Sequence, residues 1–282
     1  MTDMTKGKIG VFDSGYGGLT ILKDMRQRLP QYDYVYLGDN ARAPYGTRSF
    51  DIVYRFTLEA VRHLFRMGCP LVILACNTAS AKALRTIQQH DLPEIDPSRR
   101  VLGIIRPTVE QLGRYTRSGH IGIFGTPGTI QSESYDMEIA KLHPDYHTVG
   151  HACPMWVPLV ENGESANPGA DYFVDQEVRR LLEKDADIDT IILGCTHYPL
   201  LYDKIRAAVP DNVSLLLQGE IVADSLADYL RRHPAMESRL NRSGEAGKTG
   251  TCTYLTTENS MKFAQMASMF LGEPIDAETI EI

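Results

Sequence analysis

The chain has 282 residues, of which 43% are apolar, and a formal net charge of −7 at pH 7. A chain of this length can bury a full hydrophobic core and favours two domains over one. The acidic balance argues against a nucleic-acid or membrane-surface role that depends on a basic patch. No apolar stretch approaches the ~20 residues that a membrane span needs, and the start, MTDMTKGKIG, lacks the apolar region of a signal peptide. We therefore expect a cytoplasmic protein without a membrane or nucleic-acid partner.

The first predicted elements alternate between apolar runs and helical periodicity. A strand at 8–12 ends at Asp13 and is followed by the glycine-rich SGYGG, which lacks the GxGxxG spacing of a dinucleotide site. A helix, a strand at 34–37 and the loop ARAPYGTRS follow. Ser49 is a suitable cap for the next helix, which Gly68 ends. This alternation predicts a doubly wound, mainly parallel α/β sheet.

Two later apolar runs end in a cysteine. PLVILACNTAS, at 70–80, and TIILGCTHYPL, at 190–200, each have the pattern of a buried parallel strand followed by polar residues. Open α/β sheets bind their ligands at the carboxyl ends of such strands. We therefore expect Cys76 and Cys195 to lie at two strand ends, each at the amino end of a helix.

The same alternation continues around these runs. We expect further strands at 101–105, 120–124, 213–217 and 251–255, and further helices at 79–89, 171–184, 221–231 and 258–270. The polar, glycine-rich segment 233–250 is predicted to be a surface loop. IGVF at 9–12 is echoed by IGIF at 121–124, and LACNT is echoed by LGCTH at nearly the same separation. Two echoes in the same order predict two α/β domains of similar design.

The five cysteines form an odd set in a long acidic chain, which favours reduced thiols over a disulfide framework. No two of them have the spacing of a zinc site, so we expect no metal. Cys69, Cys153 and Cys252 are predicted to be small buried apolar residues, the usual state of a free cysteine. Cys76 and Cys195 differ from them because polar residues follow both.

Two facing thiols suggest acid–base chemistry. A thiol with a pKa of ~8.5 is only ~3% ionised at pH 7, so it needs help to act as a base. A helix amino end favours an anion, His197 lies two positions after Cys195, and Asp13 from the neighbouring strand end could accept the Cys76 proton. One base and one acid on opposite sides of a carbon suit stereochemical inversion next to a carboxylate.

Five motifs, DSGYGG, APYG, ACNTAS, PLVE and GCTHYPL, occur in this order over most of the chain and together resemble the glutamate racemases. The resemblance implies a cofactor-independent racemase of two similar domains with the active site in the cleft between them. It implies a first domain at 1–103 and 212–282, with a second domain at 104–211 inserted into it. It also implies a homodimer that supplies D-glutamate for peptidoglycan.

The resemblance also implies the site residues. Cys76 and Cys195 would be the two acid–base thiols, assisted by Asp13 on one side and by Glu161 and His197 on the other. The substrate would be bound, chiefly by neutral donors, by Asp13, Ser14, Tyr45, Gly46, Asn77, Thr78, Thr126, Thr196 and His197. Three residues depart from the usual family pattern, namely Tyr16, Arg106 and Thr108.

Three alternatives to glutamate racemisation differ in how well the residues support them. A related thiol racemase for aspartate remains open, because sequence alone cannot distinguish two substrates that differ in length by one methylene group. A two-domain protein that binds an acidic amino acid without chemistry would have no use for paired thiols. A pyridoxal enzyme is disfavoured, because a Schiff base needs a lysine and none occurs in the motifs.

Overall fold

The computed structural model describes residues 6–243 and 249–282, and its strands form two sheets. The strands are β1 (Ile9–Asp13), β2 (Tyr34–Gly38), β3 (Leu71–Leu74), β4 (Arg100–Gly103), β5 (His120–Gly125), β6 (His147–Ala152), β7 (Thr190–Gly194), β8 (Ser214–Leu216), β9 (Cys252–Thr256) and β10 (Ala277–Thr279). The first sheet has the order β10-β9-β2-β1-β3-β4 and the second the order β6-β5-β7-β8. Every pair of neighbouring strands in these two sheets is parallel. The predicted α/β fold with mainly parallel sheets is confirmed.

Helices connect the strands and cover the sheets. They are α1 (Gly18–Arg28), α2 (Phe50–Arg66), α3 (Asn77–Lys82), α4 (Leu84–Thr86), α5 (Leu92–Ile95), α6 (Ile105–Glu110), α7 (Pro127–Gln131), α8 (Ser134–Leu142), α9 (Trp156–Glu161), α10 (Pro168–Lys184), α11 (Tyr202–Ala208), α12 (Gly219–Arg232), α13 (Pro234–Glu237) and α14 (Ser260–Leu271). Short 3₁₀ turns occur at Asn40–Arg42, Leu112–Arg114 and Tyr198–Leu201, and one π turn at Ile87–Asp91. No helix in the described ranges is both long enough and apolar enough to span a membrane.

The central strands are buried because helices lie on both faces of each sheet. All residues of β1, β3 and β7 are buried, which explains why the sequence there shows continuous apolar runs rather than alternation. One cluster of buried apolar side chains extends from β1 and β3 of the first sheet to β5 and β7 of the second. The two sheets therefore share part of one core.

Helix α2 shows how the sequence forms one of these covering layers. Its buried residues, among them Val53, Val61 and Leu64, recur at the spacing that places them on one helix face. Ser49 occupies the N-cap position as predicted, although its side chain makes no capping hydrogen bond. Gly68 has a φ of 85°, a left-handed conformation that glycine adopts readily, and the chain turns there into β3.

The helix predicted at 79–89 differs most from the structure. It begins earlier, at Asn77, and is broken into α3, α4, the π turn and α5. Pro93 lies in the first turn of α5. Proline is tolerated there because a first-turn N–H has no helical acceptor to lose. Two edge strands, β6 and β10, were not predicted, since their partly exposed residues form no apolar run.

The boundary predicted at residue 212 disagrees with one strand. β8 pairs in parallel with β7 of the second sheet, so Ser214–Leu216 belongs to that sheet and not to the first. Leu216 is buried with Ile192 in the core of the second sheet, which accounts for the pairing. The remaining domain limits stay a prediction.

The segment 233–250, predicted to be a loop, is partly ordered by local structure. It contains helix α13, and Leu240 forms an isolated bridge with Gly7. Residues 244–248 of this segment lie outside the described residues.

Candidate active site

Four strand ends meet at one cavity of about 110 Å³. The residues that follow β1, β3, β5 and β7 line it, together with loop 43–47 and parts of 153–161. This volume is well below the ~300–1,000 Å³ of pockets for drug-sized ligands, so it fits a small ligand. Every residue expected in the site lines this cavity, namely Asp13, Ser14, Tyr45, Gly46, Cys76, Asn77, Thr78, Thr126, Glu161, Cys195, Thr196 and His197.

Cys76 is the N-cap of α3, as predicted. Its sulfur accepts a hydrogen bond from the Ala79 N–H at 3.4 Å and lies 3.4 Å from the Ser14 hydroxyl oxygen. The pairing of β1 with β3 brings Asp13 and Cys76 out of the sheet side by side. The thiol therefore has a carboxyl group, a hydroxyl group and a backbone N–H in its surroundings.

The charge state of this first thiol follows from its burial. Burial and the charge of Asp13 raise the pKa of Cys76 to about 12, although hydrogen bonds with Ser14 and Ala79 oppose the shift. Burial also raises the pKa of Asp13, and the nearby His197 charge partly offsets this rise. At neutral pH Cys76 is a thiol.

Cys195 has a different set of neighbours. Its sulfur lies 3.8 Å from His197 Nδ1, and His197 Nε2 lies 2.9 Å from Glu161 Oε1. Burial lowers the pKa of His197, but the hydrogen bonds and charges of Cys195 and Glu161 outweigh it and raise the pKa to about 10. His197 is therefore a cation at neutral pH and sits between a sulfur and a carboxylate.

The helix amino end predicted at Cys195 is wrong. Cys195 lies in a turn, and the next element is the 3₁₀ turn Tyr198–Leu201, before α11 begins at Tyr202. The apolar run was a correct signal for the strand, but the residues directly after it form a turn, and a 3₁₀ turn precedes the α-helix. The charged group beside this sulfur is His197.

The hydroxyl of Tyr45 uses its proton in a hydrogen bond within the protein. It donates to the carboxylate of Asp39, which also accepts hydrogen bonds from Arg42 at 2.7 Å and from Thr257 at 2.9 Å. Burial and the Asp39 charge raise the pKa of Tyr45, so the phenol keeps its proton. Tyr45 lines the cavity, and its hydroxyl anchors the loop to Asp39.

Hydroxyl groups join the two sides of the cavity. Thr78 Oγ1 lies 2.9 Å from Thr126 Oγ1 and 3.3 Å from Thr129 Oγ1, and the last two are 3.0 Å apart. Close by, the Gly128 N–H donates to the Gly46 carbonyl at 2.7 Å. These contacts hold the start of α3 and loop 43–47 against α7.

Gly17 allows the turn after β1 to approach Thr196 and His197, the two residues that follow Cys195. A Cβ atom at this position would lie 2.4 Å from Thr196 Oγ1 and 2.5 Å from His197 Nδ1. The backbone at position 17 can therefore come this close to Thr196 and His197 only because glycine has no side chain. Thr20 Oγ1 donates to the Thr196 carbonyl at 3.2 Å and fixes the same approach.

Sequence reasoning missed part of the cavity wall. Cys153 is buried as predicted, with its pKa raised well above the usual value by burial, but it also lines the cavity. The other additions are small or apolar groups, namely Ala43, Pro44, Thr47, Pro127, Pro154, Val157 and Pro158. Such residues carry no pattern that distinguishes a cavity wall from a core. Cys69 is buried, whereas Cys252 at the start of β9 is only partly buried.

A His and Asp cluster lies away from the cavity. Within 6–243 and 249–282, the group whose ligand atoms are close enough for a metal ion is His120, Asp185 and Asp187. It sits at the amino end of β5, whereas the cavity is at the carboxyl end. His120 Nδ1 is 2.8 Å from Asp185 Oδ2, and this hydrogen bond is the main cause of the raised pKa of His120. An ordinary ion pair accounts for this cluster.

Comparisons with known proteins agree with this geometry. The family model of Asp/Glu/Hydantoin racemases matches residues 16–224. A glutamate racemase of Roseobacter denitrificans is 39% identical over 278 residues, which cover 95% of this chain and 98% of that protein. A glutamate racemase isoform from Bacillus anthracis superimposes with a TM-score of 0.88 at 32% identity, over 98% of both chains.

A second solved structure carries a ligand. The glutamate racemase from Francisella tularensis, in complex with D-glutamate, superimposes with a TM-score of 0.85 at 29% identity over 98% of both chains. The resemblance found in the motifs is thus confirmed over nearly the whole chain. This chain belongs to the Asp/Glu/Hydantoin racemase family and is an amino-acid racemase, an isomerase.

Proposed function

We propose that this enzyme interconverts L-glutamate and D-glutamate by two-base proton transfer at Cα, without a cofactor. The observation that carries the proposal is that Cys76 and Cys195, at strand ends of two different sheets, line one small cavity. Relatives named glutamate racemase support the choice of substrate.

The proposed reaction conserves every atom. One sulfur, as a thiolate, takes the Cα proton, and the electron pair of the broken C–H bond delocalises into the adjacent carboxylate. The opposite sulfur, as a thiol, then delivers its proton to the other face of Cα. Each turnover exchanges the protonation states of the two sulfurs, so the reverse reaction starts from the exchanged state.

The surroundings of the two sulfurs favour one resting state. Cys76 is a thiol, because its pKa is about 12. The His197 ring lies 3.8 Å from the Cys195 sulfur. In the proposed reaction Cys76 therefore starts as the acid, and Cys195, the other sulfur in the cavity, is the base. When the empty enzyme passes from this state to the exchanged one, Asp13, whose pKa is raised by burial, takes the Cys76 proton and passes it to solvent, while Cys195 gains a proton from solvent.

Neutral donors bind the two substrate carboxylates in this proposal. The candidates are the side chains of Ser14, Asn77, Thr78, Thr126 and Thr196, with the backbone of Gly46. These donors are neutral, so they add no charge beside Cys76 to the one that His197 carries beside Cys195.

Deuterium incorporation tests the proposal. Purified enzyme is incubated with L-glutamate in D₂O, with a chelator and no added cofactor, while optical rotation and Cα deuterium are followed together. We expect rotation to decay to zero as deuterium enters the product enantiomer. Cys76→Ser and Cys195→Ser should each abolish racemisation, whereas Cys252→Ser, at a thiol outside the cavity, should not. Near-normal racemisation by either of the first two variants refutes the two-base mechanism.

The same assay with L-aspartate tests the substrate. Faster turnover of aspartate than of glutamate would replace glutamate in the proposal. Tight binding of glutamate without Cα exchange would instead indicate a binding protein.

The cellular setting is also proposed from the family resemblance. We propose a cytoplasmic homodimer whose D-glutamate supplies peptidoglycan synthesis. Analytical ultracentrifugation tests the dimer, and rescue of a D-glutamate auxotroph tests the supply role.

A further inference from the structure

A chain of buried polar side chains runs from α6 to the cavity. Thr108, Tyr135 and Gln218 do not line the cavity, but Asn77 does. All four are at most 3% exposed. Thr108 lies in α6, Tyr135 in α8 and Asn77 in the first turn of α3, and Gln218 directly precedes α12. The chain of contacts therefore links helices that pack on both sheets.

The chemistry of the groups around Thr108 fixes which of them donates and which accepts in each hydrogen bond. The Ile104 carbonyl can only accept, and Thr108 donates its single hydroxyl proton to it at 2.7 Å. The Thr108 oxygen can then only accept from Gln218, which must present Nε2 at 2.9 Å. The orientation of the Gln218 amide is thereby fixed, with Oε1 turned toward Asn77.

The same logic fixes the Asn77 amide. Because Gln218 Oε1 accepts, Asn77 presents Nδ2 to it at 2.6 Å. The Tyr135 hydroxyl accepts from Gln218 Nε2 at 2.9 Å and donates to Asn77 Oδ1 at 2.7 Å. Burial raises the pKa of Tyr135, so this hydroxyl keeps its proton. Asn77, Gln218 and Tyr135 form a closed ring of three hydrogen bonds with one direction.

The ring leaves one group of Asn77 free. Its oxygen and one Nδ2 hydrogen are used, and in the described ranges no second acceptor is hydrogen-bonded to Nδ2. The remaining N–H belongs to a residue that lines the cavity. An unrestrained amide could turn its oxygen toward an anionic ligand, which would place an acceptor against an acceptor.

We propose that Thr108, Gln218 and Tyr135 are positioning residues that hold the free Asn77 N–H toward the cavity as a fixed donor to a substrate carboxylate. The inference rests on the proposed function, because it assigns that donor to an amino-acid substrate. It gives a role to Thr108, one of the three residues that depart from the family pattern. It also couples Asn77, next to the acid–base Cys76, to residues that do not line the cavity.

Two substitutions weaken the hold on Asn77 without touching the thiols. Tyr135→Phe breaks the ring by removing the donor to Asn77 Oδ1. Thr108→Val removes the nearer of the two acceptors that orient Gln218 Nε2, the other being the Ile104 carbonyl at 3.4 Å. We expect each to raise the KM for glutamate about tenfold, the effect of weakening one hydrogen bond to a charged group. We expect kcat to stay within about twofold, because a contact made equally in ground and transition states affects binding alone.

Two matched variants separate positioning from stability. Thr108→Ser keeps the hydroxyl and should keep the wild-type KM. Tyr34→Phe removes another buried hydroxyl, on β2 of the first sheet, which donates to the carbonyls of Met25 and Leu29. This variant should have a lower Tm and an unchanged KM. Melting curves confirm that each variant is folded at the assay temperature.

The outcomes are distinguishable. An unchanged KM in Tyr135→Phe with a Tm loss like that of Tyr34→Phe overturns the inference, since the ring would then be structural only. A fall in kcat at constant KM also overturns it, since the ring would then act in proton transfer. Wild-type enzyme that neither binds nor racemises glutamate refutes the proposed function, and the inference with it.

Discussion

Replacing Glu161 by glutamine tests the charge arrangement around the second thiol. Glu161 Oε1 is 2.9 Å from His197 Nε2, and its side chain is 26% exposed. Glutamine keeps an oxygen at this position but removes the negative charge. The His197 pKa, raised to about 10 partly by this carboxylate, should therefore fall.

The size of the fall follows from hydrogen-bond energies. A bond to a charged group contributes ~1.5–3 kcal/mol and a neutral one ~0.5–1.5 kcal/mol, so the midpoints differ by about 1.25 kcal/mol. At ~1.4 kcal/mol per pKa unit this lowers the His197 pKa by about one unit. The Cys195 contact remains, so the pKa stays above its ordinary ~6.5.

The pH dependence of racemisation measures this shift. In the proposed mechanism protonated His197 is the working form, so activity persists below its pKa and is lost as pH rises through it. The alkaline limb of kcat/KM, followed by circular dichroism from pH 6 to 11, should move down by about one pH unit in Glu161→Gln. Glu164→Gln, at an exposed carboxylate bonded to Asn167, serves as the control. An unmoved or higher alkaline limb refutes the reasoning.

Three further changes test other parts of the site and core. Asp13→Asn should lower the pKa of Cys76 from about 12, because a negative neighbour is removed, and mass spectrometry should show faster alkylation of Cys76 by iodoacetamide at a given pH. Gly17→Ala should lower kcat/KM about tenfold or more, because its Cβ would lie 2.4 Å from Thr196 Oγ1 and such overpacking costs ~1–3 kcal/mol. Trp156→Ala should lower the free energy of unfolding by about 3–5 kcal/mol in urea titrations, because the ring is fully buried.

Each of these changes has a result that would contradict it. An alkylation rate of Cys76 that is unchanged or lower would show that the Asp13 charge does not act on that thiol. Gly113→Ala, where the nearest atom to the new Cβ is 3.6 Å away, should leave kcat/KM nearly unchanged; an equal loss there would remove the steric explanation. Tyr172→Ala, at a ring that is 65% exposed, should cost less than ~0.5 kcal/mol, and an equal cost at both aromatic positions would contradict the burial argument.

The two thiols could be found in the sequence because of how parallel sheets are built. Strands buried on both faces, such as β3 and β7, leave uninterrupted apolar runs, and the polar residues directly after them mark the carboxyl edge. Cys76 and Cys195 stand at such points, and the structure places both at the cavity. The same reasoning could not find β6, whose residues are half-buried at a sheet edge.

The contacts that orient side chains could not be predicted. Asn77 and Gln218 are 141 residues apart, and no spacing rule relates residues at such a distance. The Tyr45 hydroxyl bonds to Asp39, a choice that depends on the path of loop 43–47. At Cys195 the sequence pattern predicted the start of a helix, but a turn and a 3₁₀ segment come first. Sequence periodicity specifies the secondary-structure elements and their order, whereas the orientations of these side chains depend on tertiary packing.

The unequal surroundings of the two sulfurs have a kinetic consequence in the proposed reaction. Enantiomers have equal free energies in water, so the equilibrium constant is one and kcat/KM must be the same in both directions. The difference between a sulfur beside Asp13 and one beside His197 cannot appear in that ratio. It appears in kcat and KM separately, which rise or fall together between L- and D-glutamate. An asymmetric site thus lets one enantiomer saturate the enzyme at lower concentration without favouring either at equilibrium.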